Sequence, residues 1–205
     1  MRITTGLFKS RIIRSLKHIR PTQDKTRKAL FDILQNQIND TCFLELFAGS
    51  GAIGIEALSN GAKEVIFAEE DKKCCKVINN NLELLGFKAN NENRDKNIFV
   101  LAMDAFKAIE VLHKNNKKFD IIFLDPPYYK EIASRLPSGL ASAAYCDSLA
   151  KKTLQKLFEY DILRPCGLIV VEHSKKDGLE DKIGVLTLFK QNRYGDTVLS
   201  FYKKE

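Results

Sequence analysis

From residue 42 onward, short apolar runs alternate with segments of helical periodicity, and this alternation leaves few architectures open. The runs are CFLELF (42–47), VIFAEE (65–70), IFVLAM (98–103), FDIIFL (119–124) and LIVVEH (168–173). Between them the pattern predicts helices over 50–60, 72–85, 104–115 and 147–163. Gly61 and Gly86 suit left-handed helix ends, and Pro165-Cys166-Gly167 breaks the last helix. Strands that are apolar throughout need cover on both faces, which intervening helices supply when the strands run parallel. VLTLFKQ (185–191) and TVLSFYK (197–203) flank Asn192-Arg193-Tyr194-Gly195-Asp196 and read as a closing hairpin. The expected fold is α/β and Rossmann-like: a seven-stranded, mostly parallel sheet with one antiparallel strand.

Residues 1–41 precede that sheet. A helix is predicted from about residue 23 to 38, with Thr22 as its N-cap and Ala29, Leu30, Ile33, Leu34 and Ile38 as its apolar face. The expected organisation is a short basic extension with an entry helix (1–41), then one sheet domain (42–205), in keeping with the length of 205 residues. No run of about 18 apolar residues is present, so no membrane span is expected. The opening MRITTGLFKSRIIRS lacks the apolar stretch of a signal peptide, which points to a cytoplasmic location. The five cysteines are odd in number and include no CxxC pair, so neither a disulfide framework nor a structural zinc site is indicated; Cys42 and Cys166 are expected as core thiols. Three histidines without an HExxH pair make a catalytic metal an unneeded hypothesis. Nothing in the sequence requires more than a monomer.

The net charge is +7, and its distribution matters more than its size. Residues 1–28 carry nine lysines and arginines against one acid, Asp24. Lys9, Arg11, Arg14, Arg20 and Arg27 are candidate phosphate contacts for a nucleic acid. The competing reading is a solvated basic face.

Open parallel sheets bind ligands at the carboxyl ends of their strands, which directs attention to the residues after 47, 70, 103 and 124. The first of these positions carries Glu45-Leu46-Phe47-Ala48-Gly49-Ser50-Gly51-Ala52-Ile53-Gly54, a G-x-G-x-x-G turn between strand and helix. Its glycines allow close backbone approach, and the helix N-terminus offers N–H donors to an anion. Either a pyrophosphate or an amino-acid carboxylate would fit. Glu45 inside the strand favours a ligand that also carries an ammonium, such as S-adenosylmethionine (SAM). Candidate contacts are Glu45, Phe47, Ala48, Gly49, Ser50 and Gly51. At the second strand end, Glu69 lies 20 residues after Gly49 and can accept ribose hydroxyls, with Glu70 and Asp71 as near alternatives. After the third strand, Asp104, followed by Ala105, can accept from an adenine amino group or cap the following helix.

The fourth strand end is the most specific. Asp125-Pro126-Pro127-Tyr128 removes two backbone donors and leaves a rigid set of acceptors, the Asp125 carboxylate and the Pro126 carbonyl. Such a bracket can hold both hydrogens of an –NH₂ group and aim its nitrogen. Tyr128 offers a flat face to a flipped-out base. Asp125 can take the proton released on transfer. The stretch 129–146 that follows is either a lid or a plain surface loop.

Together these residues resemble the RsmD-type family, methyltransferases that modify a guanine N2 in bacterial small-subunit (16S) ribosomal RNA. RPTQDKTRKALFDIL (20–34) is similar to its entry segment, and ELFAGSGAIGIEALSNGA (45–62) to its SAM-binding loop. FLDPPY (123–128) is similar to its catalytic motif, and LIVVEH and RYGDTVLSFY to its closing strands. The resemblance implies a class I SAM-dependent methyltransferase fold. It also implies that Asp125, Pro126, Pro127 and Tyr128 hold a guanine amino group, that Glu45, the 47–51 loop, Glu69 and Asp104 surround SAM, and that Thr22 closes over the methionine end. The partner it implies is ribosomal RNA or the assembling small subunit. The opening residues 2–19 follow the family pattern loosely, and 129–146 is longer than the pattern suggests. The bracket alone leaves open an adenine-N6 methyltransferase of DNA or RNA, or a methyltransferase of protein glutamine. A nicotinamide oxidoreductase or an RNA-binding module would leave the bracket without a role.

Overall fold

The computed structural model describes residues 1–15, 24–88, 91–93, 96–127 and 148–204. In chain order the elements are α1 (Asp24–Leu34), β1 (Cys42–Leu46), α2 (Ala52–Ser59), β2 (Glu64–Glu69), α3 (Lys72–Leu84), β3 (Asn91–Asn93) and β4 (Lys96–Ala102). They continue with α4 (Ala105–Lys114), β5 (Phe119–Leu124), α5 (Leu149–Tyr160), β6 (Leu163–Ser174), β7 (Lys182–Ile183), β8 (Leu186–Tyr194) and β9 (Thr197–Lys204).

One sheet contains all the described strands, in the order β3-β4-β2-β1-β5-β6-β9-β8-β7. Strands β4, β2, β1, β5 and β6 run parallel, and β9 inserts antiparallel between β6 and β8. The seven predicted strands therefore form, with β9 as the antiparallel one. Two short edge strands add to them. The β3 sequence Asn-Glu-Asn has no apolar residue to announce it, and β7 is two residues long, too short to show a period. The hairpin is tighter than the sequence suggests: Tyr194 pairs with Thr197, so Gly195-Asp196 alone makes the turn, with Gly195 at φ 64°.

β6 also begins earlier than predicted, because Pro165-Cys166-Gly167 does not stop the chain. The register moves from Phe119↔Leu163 to Ile121↔Leu168, so five steps along β6 face two along β5 and the excess bulges outward. Cys166, at φ 62°, sits exposed on this bulge and is not the core thiol the sequence suggested; Cys42 is half-buried. Likewise α1 ends at Leu34 instead of 38, although Ile38 remains fully buried.

Alternate residues of each strand feed two cores. On one face Phe43, Phe67, Ile121, Phe123 and Val170 meet Leu30, Phe31, Ile55, Leu58, Ile78 and Leu82 from α1, α2 and α3. On the other, Leu44, Leu46, Ile122, Leu124 and Val171 meet Ala108, Ile109, Leu112, Leu154 and Leu157 from α4 and α5. Full burial of each large aliphatic or aromatic side chain contributes about 1.5–3 kcal/mol. Among the described residues no helix is long and apolar enough to cross a membrane.

The N-terminal segment belongs to the first of these cores through Ile3 and Ile13, with an antiparallel bridge between Arg2 and Ile12. Gly6, at φ 74°, lies so close to the Ser59 carbonyl that a Cβ there would overlap it. The hub of the attachment is Glu56 on α2. One carboxylate oxygen accepts from the backbone N–H groups of Thr4 (2.7 Å) and Thr5 (2.6 Å) and from both their hydroxyls (2.8 and 2.9 Å). The other pairs with the Arg27 guanidinium at 3.1 Å. Arg27 also donates to the Arg2 carbonyl and to Asp24. Its side chain is fully buried, which corrects its reading as an RNA contact: Arg27 is committed to Glu56 and cannot reach a phosphate. Arg20 and Thr22 lie outside the described residues.

A buried charge left without its partner is strongly destabilising. Arg27→Ala is therefore expected to cost about 3–5 kcal/mol in urea unfolding. Lys9→Ala, at an exposed position, is expected to change stability by no more than about 0.5 kcal/mol.

Candidate cofactor and substrate site

The register aligns the carboxyl ends of the central strands. Leu46 pairs with Ala68 and with Leu124, Glu69 with Ala102, and Leu124 with Val171. The loops that leave these ends therefore converge on one edge. They carry 47–51 after β1, 69–71 after β2, 103–105 after β4 and 125–127 after β5.

The loop after β1 turns sharply through three left-handed residues, Phe47 (φ 58°), Gly49 (φ 54°) and Gly51 (φ 74°). The two glycines were legible in the sequence. Phe47 was not, since a side chain in this region costs energy and must be held by its surroundings; the ring packs against the core under α4 and α5. Ala48 N–H donates to the Ala68 carbonyl at 3.1 Å, and Gly51 N–H to the Ala48 carbonyl at 2.7 Å. Gly49 N–H donates to Glu69 Oε2 at 2.7 Å.

Glu45 is almost wholly buried, at 3 % exposure. Its carboxylate accepts from Gly54 N–H at 2.8 Å and from Ile53 N–H at 3.3 Å. The first turn of α2 was expected to offer its donors to a ligand anion; these two are instead taken by Glu45. Gly54 allows this contact. A Cβ there would overlap the Phe67 ring and stand 2.8 Å from Glu45 Oε2. Burial pushes the Glu45 carboxyl up to about 8, the two amides working against it and the nearby Glu69 charge adding to it.

The three acids after β2 separate by role. Glu69 is half-buried and clasps two turns, with Gly49 N–H on one oxygen and Asp71 N–H on the other at 2.8 Å. Asp71 caps α3 through Lys73 N–H at 2.8 Å, and Glu70 is exposed. Asp104 caps α4 through Lys107 N–H at 3.0 Å, and Ala105 is buried at the start of that helix. The capping reading of Asp104 thus holds, and only Oδ1 is engaged in it.

Asp125, Pro126 and Pro127 leave β5 directly, with Asp125 and Pro127 partly exposed and Pro126 buried. Because Leu124 pairs with Leu46, Asp125 stands beside the loop that begins at Phe47. Tyr128 and the 129–146 stretch lie outside the described residues. Lys9, Arg11 and Arg14 are exposed on the N-terminal segment, with the Arg11 guanidinium 5.3 Å from the centre of the Phe8 ring.

One residue escaped the sequence reading. Asn81 on α3 is fully buried; its amide oxygen accepts from Arg14 N–H at 2.8 Å, and its NH₂ donates to the carbonyls of Arg14 (3.0 Å) and Ser50 (3.1 Å). The available signal was phase: Asn81 falls one turn from Ile78 and beside Leu82, both core residues.

The family described as Conserved hypothetical protein 95 matches residues 1–203. The putative rRNA methyltransferase YlbH of Bacillus subtilis is 32% identical over 206 residues, covering 100% of this chain and 99% of that protein. Ribosomal RNA small subunit methyltransferase D of Haemophilus influenzae is 33% identical over 85% of this chain and 79% of its own length. Among solved structures, the putative methyltransferase yhhF from Escherichia coli superposes with a TM-score of 0.76 at 27% identity, covering 100% of this chain and 98% of that one. The putative methylase HI0767 from Haemophilus influenzae gives 0.70 at 27% identity, covering 99% and 97%. With the class I methyltransferase sheet and the loops at its carboxyl edge, this match over nearly every residue assigns the chain to the Conserved hypothetical protein 95 family, of RsmD type.

Proposed function

We propose that the chain transfers a methyl group from S-adenosylmethionine to the exocyclic N2 of a guanine in small-subunit (16S) ribosomal RNA. The observation that carries this reading is the position of Asp125-Pro126-Pro127 directly after β5, next to the β1 loop that Glu45 and Glu69 shape. When bound, the cofactor supplies an electrophilic methyl group on sulfur. The names of the relatives from Bacillus subtilis and Haemophilus influenzae support ribosomal RNA as the substrate class. The choice of guanine N2 rests on the family resemblance. The enzyme then works in the cytoplasm on ribosomal RNA or the assembling small subunit.

The donor set fits this cofactor better than a dinucleotide. Glu45 already brings a carboxylate to the first turn of α2, which disfavours a pyrophosphate there and favours an ammonium. Glu69 uses one lone pair on each oxygen for Gly49 and Asp71, and a carboxylate has about four acceptor sites, so capacity remains for a ribose diol. Asp104 Oδ2 faces an adenine amino group in this reading, with Glu70 and Ala105 bordering the same edge and Thr22 closing over the amino-acid end.

The chain's own part in transfer is positioning. Asp125 and the Pro126 carbonyl accept the two N–H bonds of the target amine, which turns the nitrogen lone pair out of conjugation with the ring. Tyr128 stacks on the base. Asp125 would take the proton as the new N–C bond forms and the methyl's bond to the cofactor sulfur breaks, with the neutral thioether as leaving group. Lys9, Arg11, Arg14 and Arg20 seat the backbone through phosphates without reading sequence.

Mass spectrometry of ribosomal RNA nucleosides with and without the active gene tests the reading. Loss of N2-methylguanosine is expected; a change confined to N6-methyladenosine would reject the assignment of guanine. Asp125→Ala is expected to lower methyl transfer by about 100-fold or more while leaving affinity for S-adenosylhomocysteine within a few-fold.

A pH dependence follows from Glu45. Its folded pKa of about 8 lies above the ordinary 4.5, so its protonated form dominates the free protein at pH 6, and the cost of ionising it within the fold falls as pH rises towards 8, while the stability that its raised pKa lends the fold at low pH is lost between 4.5 and 8. A ligand ammonium favours the ionised form, so binding releases a proton. Affinity for S-adenosylhomocysteine should rise between pH 6 and 8, by at most about tenfold per unit; calorimetry in buffers of different ionisation enthalpy checks the proton release. RNA binding should weaken with salt, and the three exposed cations Lys9, Arg11 and Arg14 should contribute about −2 to the log–log slope. Alanine at all three should reduce the slope by about 2.

A further inference from the structure

We infer that Asn81 is a positioning residue that joins the RNA-facing N-terminal segment to the cofactor loop, so that RNA and cofactor each tighten the binding of the other. The inference rests on the reading of the chain as a SAM-dependent RNA methyltransferase.

The geometry is specific. Asn81 is fully buried on α3, and all of its amide hydrogen-bonding groups are used. Two bonds clamp both backbone groups of Arg14, as a neighbouring strand would. The second N–H reaches the carbonyl of Ser50 at 3.1 Å. Ser50 is itself buried, between Gly49 and Gly51, the two glycines of the cofactor loop with positive φ. A loop with so little side-chain anchorage takes its conformation from the bonds made to its backbone. Beside the backbone bonds from Ala48 to Ala68 and from Gly51 to Ala48, the side chains that bind it are Glu69, at Gly49, and Asn81, at Ser50.

The other end of the segment is held just as firmly. Thr4 and Thr5 bind Glu56, and Leu7 N–H donates to the Ser59 carbonyl at 2.7 Å. The segment is therefore fastened near the end of α2 and again beside the loop that starts α2. Lys9 and Arg11 lie exposed between these two anchors, and Arg14 carries its exposed side chain at the second. A phosphate held by these cations restrains the backbone of Arg14, and through Asn81 it restrains Ser50. Linkage makes the effect reciprocal: a cofactor that orders the loop orders the RNA-facing segment by the same free energy.

The experiment measures the dissociation constant of S-adenosylhomocysteine by calorimetry with and without saturating transcribed 16S ribosomal RNA. It uses the wild-type chain, Asn81→Ala and Asn81→Ser. For the wild type, RNA should tighten the cofactor by roughly fivefold or more, the lower range of measured couplings. In both variants the factor should fall below about twofold, even where each separate affinity has shifted. A merely structural asparagine would shift the separate affinities and leave the ratio intact, and that result overturns the inference. So does a wild-type protein that binds both ligands independently. A wild-type protein that binds neither S-adenosylhomocysteine nor RNA removes the functional reading itself, and the two failures are thereby told apart. Should both variants fail to fold, hydrogen exchange on the wild type decides. RNA should slow exchange at 47–54 and S-adenosylhomocysteine should slow it at 11–15; protection confined to each ligand's own segment overturns the coupling.

Discussion

The carboxyl edge of this sheet depends on one buried acid. Glu45 projects from β1 into the first turn of α2 and accepts the N–H groups of Ile53 and Gly54. Those donors would otherwise be left unpaired at a helix start with no side-chain cap of its own at Gly51. The contact sets the distance between β1 and α2, and with it the path of the 47–51 loop that must pass between them. Gly54 is the counterpart of this bond, since any larger residue would press on both Glu45 and Phe67. The third glycine of the motif thus serves helix–strand packing, while Gly49 and Gly51 serve the turn. The arrangement also gives the acid a double life: it holds the helix in the free protein and presents negative charge to a ligand amine.

A second buried acid, Glu56, does comparable work on the far turn of α2. Four donors from Thr4 and Thr5 and the Arg27 guanidinium surround it. Burying a charge is costly unless it is fully hydrogen-bonded, and this one is saturated. Its consequence is that the N-terminal segment packs into the first core instead of trailing from it. The basic character of residues 1–28 divides accordingly: Arg27 turns inward as a structural cation, whereas Lys9, Arg11 and Arg14 face solvent.

Much of this was legible in the sequence because the responsible forces are local or periodic. Apolar runs mark the parallel strands, and Gly61 and Gly86 mark helix ends where φ is positive, 99° and 86°. The motif at 49–54 and the Asp125 bracket were visible as residue types at fixed spacing. What escaped depends on partners distant in the chain. The inward turn of Arg27 is set by Glu56, 29 residues away, and the role of Asn81 by Arg14, 67 residues away. Composition cannot tell a buried arginine from an exposed one. The edge strands β3 and β7 and the bulge in β6 are too short or too polar to leave a periodic trace. Phe47 adopts a backbone conformation that its residue type disfavours, as expected where a loop is shaped by what surrounds it.

The bulge in β6 has a consequence for how such a domain can change. It lies between the Phe119↔Leu163 and Ile121↔Leu168 pairs, at the amino end of the strand, and the register from Ile121 to Leu124 is regular beyond it. Extra residues have been taken up there without displacing Leu124, on which the placement of Asp125 depends. The two ends of the sheet therefore differ in tolerance. At the amino end, length can vary and exposed chain such as Cys166 is produced; at the carboxyl end, a shift of one residue would carry Asp125 to the opposite face. A residue added to or lost from this bulge would therefore leave the β5–β6 register beside Asp125 unchanged.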